Sequence, residues 1–161
     1  MSRLAVFVAT GAHLSYIAVS LRRRSGVKWT GAGLIGTIEG LLLLPLLPVS
    51  PAPLAAVLIL STVAFSLICG VAEKSLGTHD DPGIILDEIV GFWFAAALLP
   101  KTWPALASAF VLFRLFDSVK LPPYRWLERL PGGWGVVLDD VGAGVFANIG
   151  ARIILMVWGI V

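Results

Sequence analysis

Apolar residues fall in long runs along the chain, and the lengths of those runs predict helices of two kinds. Leu4 to Leu21 is an apolar run of 18 residues, near the lower limit for crossing a bilayer. It contains His13 and lacks a small-residue cleavage motif, so it is expected to be a retained N-terminal anchor. Arg22, Arg23, Arg24 and Lys28 follow at once, and the positive-inside rule assigns that loop to the cytoplasm. Gly31 to Val49 is a second apolar stretch, interrupted by Glu39 and Pro45. Pro51 to Ala72 offers 22 residues without a charge and carries its prolines in the first turn, where they cost little. It predicts the clearest transmembrane helix, paired with the preceding stretch across an outward-facing tip at Pro48-Val49-Ser50-Pro51.

Ile89 to Pro100 and Ala105 to Phe116 are apolar runs of 12 residues each. As helices they are about 18 Å long, too short for a hydrocarbon core of about 30 Å. They fit a re-entrant or interfacial hairpin better than two spans, and a hairpin would return Arg114, Asp117 and Lys120 to the face of Asp87 and Glu88. One continuous tilted span through Pro100 and Pro104 would put them on opposite sides, and hydropathy alone does not decide. Leu121 to Leu138 is the most polar segment, and Val141 to Val161 is a last apolar helix broken only by Arg152. The fold expected is all-α: an integral membrane helical bundle, one domain over residues 1–161. Residues 1–30 would be the anchor and basic loop, and 31–161 the core.

Composition supports a membrane protein. The hydrophobic share is 58% and the charged share 14%, against roughly 45–50% and about 25% in an average soluble domain. Mean hydropathy is +0.92. The net charge of +2 comes with no basic stripe and interleaved aromatics, so no nucleic-acid partner is implied. The single cysteine, Cys69, excludes an internal disulfide and reads as a small buried side chain.

Against this background the acidic residues stand out. Seven of the ten occupy three places: Asp80, Asp81, Asp87 and Glu88; Asp117; and Asp139 with Asp140. Carboxylates gathered so densely repel one another, more strongly in apolar surroundings. A hard cation such as Mg²⁺, which takes oxygen ligands, would relieve that repulsion. Acids also populate helix starts for the sake of the helix dipole. Two acidic pairs, each followed by small residues (Gly91 after the first, Gly142 to Gly144 after the second), read instead as facing walls of one site. Arg114, Asp117 and Lys120 fall on one side of a helix. A surface ion-pair ladder there would contribute little. As a site, Arg114 and Lys120 would contact phosphate, with Asp117 as ligand or orienter. His79 beside Asp80 is a candidate for proton transfer, although a solvated histidine would have the same neighbours. The glycine-rich opening Gly31 to Thr37 is weaker: it could present amide groups to an anion or serve helix packing.

These segments resemble the phosphatidylglycerophosphatase A family of bacterial membrane phosphatases. The resemblance runs from Gly36 to Gly144. It is carried by Gly36-Thr37 with Pro45, by His79-Asp80, and by Asp87-Glu88 with Gly91. Phe113-Arg114 with Asp117 and Lys120 follows, then Gly132-Gly133-Trp134-Gly135-Val136 with Asp139-Asp140 and Ala143-Gly144. Three positions depart from the family pattern: Ile35 and Glu39 flank the glycine-threonine pair with unusual residues, and Leu121 intervenes between Lys120 and the prolines.

The resemblance implies helices packed around a central one. It also implies Mg²⁺-dependent removal of the terminal phosphate of phosphatidylglycerophosphate, a step of glycerophospholipid biosynthesis. The substrate would be met at the cytoplasmic face of the bacterial inner membrane. The metal set expected is Asp80, Asp87, Glu88, Asp139 and Asp140. Thr37, Arg114 and Lys120 would bind phosphate, and His79, Asp80 and Asp117 would serve catalysis. No serine, cysteine or histidine triad is evident, so attack by water is preferred, with a covalent aspartyl-phosphate as the alternative route. The alternative is a small divalent-cation transporter or channel subunit with an acidic helix-lined pathway.

Overall fold

In the computed structural model, which describes residues 2–25, 31–78 and 81–159, every regular element among those residues is helical. α1 (Ser2–Ala9) and α2 (Ser15–Ser25) precede α3 (Ala32–Leu43), which ends in a 3₁₀ turn at Leu44–Leu46. α4 (Pro51–Leu76), α5 (Leu86–Ala96) and α6 (Trp103–Val119) follow. A short α7 (Pro122–Arg125) and a 3₁₀ turn (Leu127–Arg129) lead to α8 (Gly133–Val157).

α5 is the central helix. It packs against α3, α4, α6 and α8, and nine of its eleven residues are buried. Glycine sets how closely its neighbours approach. A Cβ on Gly144 of α8 would collide with the carbonyl of Gly91 on α5, and one on Gly91 would lie 2.8 Å from the Asp140 carbonyl. The small residues behind the acidic pairs therefore bring backbone to backbone, and Phe113 fills the remaining space beside Gly91. α3 runs alongside α5, with Gly36 against Ile85 and Gly40 against Ile89. Trp93 Nε1 donates to the Gly40 carbonyl at 3.0 Å.

α5 stops early because its end is capped from α8. Asn148 Nδ2 donates to the carbonyls of Ala95 and Ala97 at 2.9 and 2.8 Å. Arg152 reaches Ala97 and Leu98 at 3.3 Å. Those are the orphan acceptors that a helix end must place somewhere. The chain then turns back into α6, so the two short apolar runs form the expected hairpin. Arg114 and Lys120 return to the end of the bundle that holds Asp87 and Glu88.

Two expectations change. The run Leu4 to Leu21 is two helices rather than one. Gly11, Ala12 and His13 take left-handed backbone at φ 55, 53 and 67°, and the Ile85 amide bonds the Ala9 carbonyl at 2.8 Å. Packing at the head of α5 thus divides a run that hydropathy reads as continuous. The last helix begins at Gly133 rather than Val141. Gly132, at φ 62°, starts it, and Gly133 then fits against the Ser66 carbonyl on α4. Asp139 and Asp140 consequently lie about two turns inside α8, and a helix-start role no longer accounts for them.

Candidate active site

Three helices bring carboxylates or cations to one end of the bundle. The first turn of α5 supplies Asp87 and Glu88, and α8 supplies Asp140. Each offers an oxygen, and the three oxygens lie within 4.8 Å of one another. Asp87 and Asp140 are buried. Oε2 of Glu88 and Oδ2 of Asp140 are buried without a hydrogen-bond partner. An orphaned carboxyl oxygen is costly, and two on residues of one cluster are what a shared divalent cation would satisfy. Burial, reinforced by the Asp140 carboxylate, pushes the Glu88 carboxyl up to about 8, with Arg114 pulling the other way. Like charges in a low-dielectric pocket have that effect.

Arg114 enters from α6. Its Nη1 donates to the Gly33 carbonyl and to Thr37 Oγ1, each at 3.2 Å, and lies 3.1 Å from Asp117 Oδ2. Thr37 Oγ1 in turn donates to the Gly33 carbonyl at 2.8 Å. Gly33 makes this possible: a Cβ there would strike Glu88 Oε1 and lie 2.9 Å from Arg114 Nη2. The glycine-rich opening of α3 thus acts through the room it leaves and a carbonyl it offers.

Lys120 takes a different place. Its Nζ lies 2.8 Å from Asp139 Oδ2 and 3.1 Å from Glu128 Oε1. Burial alone would lower its pKa, but the Asp139 and Glu128 carboxylates outweigh that and raise it. Asp139, expected among the metal ligands, is therefore joined to Lys120 and stands outside the group of three. Asp81 accepts from the Gly83 amide and from Thr78 Oγ1, both at 2.9 Å, and ties the loop ahead of α5. His79 and Asp80 lie outside the described residues.

Sequence reasoning left Glu73 without a role. It is buried on the last turns of α4, within electrostatic reach of Cys69, as are Asp87, Glu88 and Asp140. Its signal was an acid ending a charge-free helix, which hydropathy treats as a boundary. Cys69 itself is buried and free.

Carboxylates that can share a cation, beside a guanidinium that can take an anion, are the parts of a phosphatase site. Sequence comparison agrees. Residues 18–155 match the family described as Phosphatidylglycerophosphatase A. The chain is 38% identical over 125 residues to a Phosphatidylglycerophosphatase A of Haemophilus influenzae, covering 74% of each. It is 31% identical over 126 residues to that of Escherichia coli K12, covering 76% of this chain and 73% of the relative. No solved structure matches significantly. The chain belongs to the phosphatidylglycerophosphatase A family.

Proposed function

We propose that this enzyme hydrolyses phosphatidylglycerophosphate to phosphatidylglycerol and phosphate, using Mg²⁺ held by Asp87, Glu88 and Asp140. The observation that carries this reading is the meeting of those three carboxylates within 4.8 Å, with Glu88 and Arg114 both lying against Gly33. A purely oxygen ligand set suits a hard cation. When bound, such a cation would neutralise charge on the phosphoryl oxygens and make a water more acidic.

The chain's own residues do the rest. Arg114 offers its guanidinium to the phosphate, and Asp117, Thr37 and the Gly33 carbonyl fix its direction. Holding donors in place before the charge develops is the larger part of phosphoryl-transfer catalysis. Lys120 holds Asp139 and adds positive charge at the rim. His79 and Asp80, a few residues before α5 in sequence, are the proposed proton carriers.

A bilayer setting, and a place in glycerophospholipid biosynthesis, belong to the same proposal. α4 and α8 are long and apolar enough to cross a membrane, yet only 28% and 33% of their spans are buried. The core helix of a soluble protein would be mostly covered. Their outward faces carry Ile59, Leu60, Leu67, Ile149, Ile153 and Met156, all exposed. Exposed Trp134 and Trp158 bracket α8. They are separated by about 36 Å of helix, close to the distance between the two interfacial belts where tryptophan collects. Arg22, Arg23 and Arg24 at the end of α2, with Lys28 beyond them, precede in sequence the end of α3 that carries Gly33. The positive-inside rule therefore favours a site facing the cytoplasm of a bacterial inner membrane.

Phosphate release from the purified enzyme in detergent tests the proposal, with phosphatidylglycerophosphate, Mg²⁺ and then a chelator. Chelator-sensitive release supports it. Release from phosphatidic acid but not from this lipid would move the substrate. Silence on both from a folded, Mg²⁺-binding protein would overturn the enzyme reading in favour of cation transport.

A further inference from the structure

The far end of the bundle holds a second feature that the reaction does not use. A cavity of about 360 Å³ opens there, lined by Leu44, Leu54, Trp93 and Ala97 together with Lys101 and Arg152. Its walls are apolar, and its two charged residues are both cations. Lys101 Nζ bonds the Leu44 carbonyl at 3.4 Å. Arg152 bonds the carbonyls of Ala97 and Leu98 and Asn148 Oδ1. Among the described residues neither meets a carboxylate, in contrast to Lys120 at the other end. Carbonyl dipoles satisfy their hydrogen bonds but leave two positive charges beside an apolar hollow.

The feature is separate from the acidic site. Arg152 follows Asp140 by twelve residues, about 18 Å along α8. Exposed Trp103 and Trp158 flank this end, as they would at a bilayer interface. We propose that the cavity binds one anionic glycerophospholipid from the leaflet remote from the acidic site. The phosphodiester would sit at Lys101 and Arg152, and the upper acyl chain between Leu44, Leu54 and Trp93. Charge selects the headgroup, since a zwitterionic lipid brings its own cation to the same place. Neither basic residue touches the proposed reacting groups, so the bound lipid would be a fixed component of the fold rather than a substrate. The inference rests on the bilayer placement above and is independent of the identity of the substrate.

Native mass spectrometry of the detergent-solubilised full chain tests it, titrated with dioleoylphosphatidylglycerol or dioleoylphosphatidylcholine. The Asp87→Asn variant provides the background in which the acidic site is disabled. One phosphatidylglycerol is expected to bind in that background, about tenfold more tightly than phosphatidylcholine, the equivalent of one charge-assisted contact. Adding Lys101→Gln, on an exposed loop where folding is not at stake, should abolish the preference. Ala97→Phe should lose the lipid with both charges in place. Equal binding of the two lipids, or an unchanged preference in Lys101→Gln, would overturn the proposal. Partition of the expressed protein between membrane and soluble fractions is measured alongside. Recovery in the soluble fraction would overturn the bilayer placement and the leaflet lipid with it, whereas equal binding by membrane-recovered protein would overturn the lipid site alone.

Discussion

Lys120 Nζ stands 2.8 Å from Oδ2 of Asp139, joining the last residue of the α5–α6 hairpin to the second turn of α8. The lysine is about a third exposed and the aspartate 5%. Removing the lysine strands a nearly buried charge, while removing both leaves none. Lys120→Met should therefore cost about 2 kcal/mol, below the roughly 3–5 kcal/mol of a wholly buried pair because the lysine reaches water. Lys120→Met with Asp139→Leu should recover most of that loss. Thermal melts of the two variants check it, and a double variant no more stable than the single one would contradict the pairing.

Asp87→Asn and Asp140→Asn each remove one charge from the group of three while keeping shape. Turnover should fall by at least about a hundredfold, in the range of other single losses of preorganised electrostatic stabilisation. Mg²⁺ affinity should fall with it. Both variants should remain folded, since each also relieves carboxylate repulsion. Wild-type rates in either would remove that residue from the cation site.

Stability should depend on pH and on Mg²⁺ together. Burial, with Asp140, pushes Glu88 up to about 8 from the ordinary value of 4.5. The folded state then holds a proton that the unfolded chain releases near 4.5, so without a cation folding stability declines as pH rises from there toward 8. A bound cation favours the ionised carboxyl and opposes that decline. Added Mg²⁺ should raise the melting temperature more at pH 8 than at pH 6. An equal increment at both would argue that Glu88 does not face the ion.

Two glycine substitutions should separate site from scaffold. In Gly33→Ala the new methyl meets the ends of Glu88 and Arg114, side chains that can move aside, so turnover should drop by more than stability. In Gly144→Ala it meets the Gly91 carbonyl, which cannot move without separating α5 from α8. That change should cost about 1–3 kcal/mol. Comparing melting temperature with specific activity for each variant tests the distinction.

Much of this was legible because apolar run length and charge placement are local signals. Runs of 12 residues are too short to span singly. Hydropathy left a single tilted span open, and the charge placement favoured the hairpin that brings Arg114 to Gly33 beside Glu88. The division at Gly11 to His13 was hidden, because nothing in a uniformly apolar run marks where a tertiary contact will bend it. The pairing of Asp139 with Lys120 was hidden for a related reason. Adjacent acids on a helix point about 100° apart, so Asp139 and Asp140 face different neighbours, and spacing alone does not say which one meets a cation. Gly91 was legible from its spacing as room for another helix or a ligand, and it is the backbone of α8 that approaches there.

The cap that Asn148 and Arg152 place on the end of α5 has a consequence at the opposite end of the same helix. α5 and α8 are pinned there, pinned again where Gly91 meets Gly144, and left to present their acids beyond the second pin. The separation of Glu88 from Asp140 is thus a calibrated gauge, set by two clamps along the helices rather than by the carboxylates, which repel. One residue inserted between the clamps would slide α5 by about 1.5 Å and turn it by about 100°. The gauge would then be lost although every acidic residue was still present.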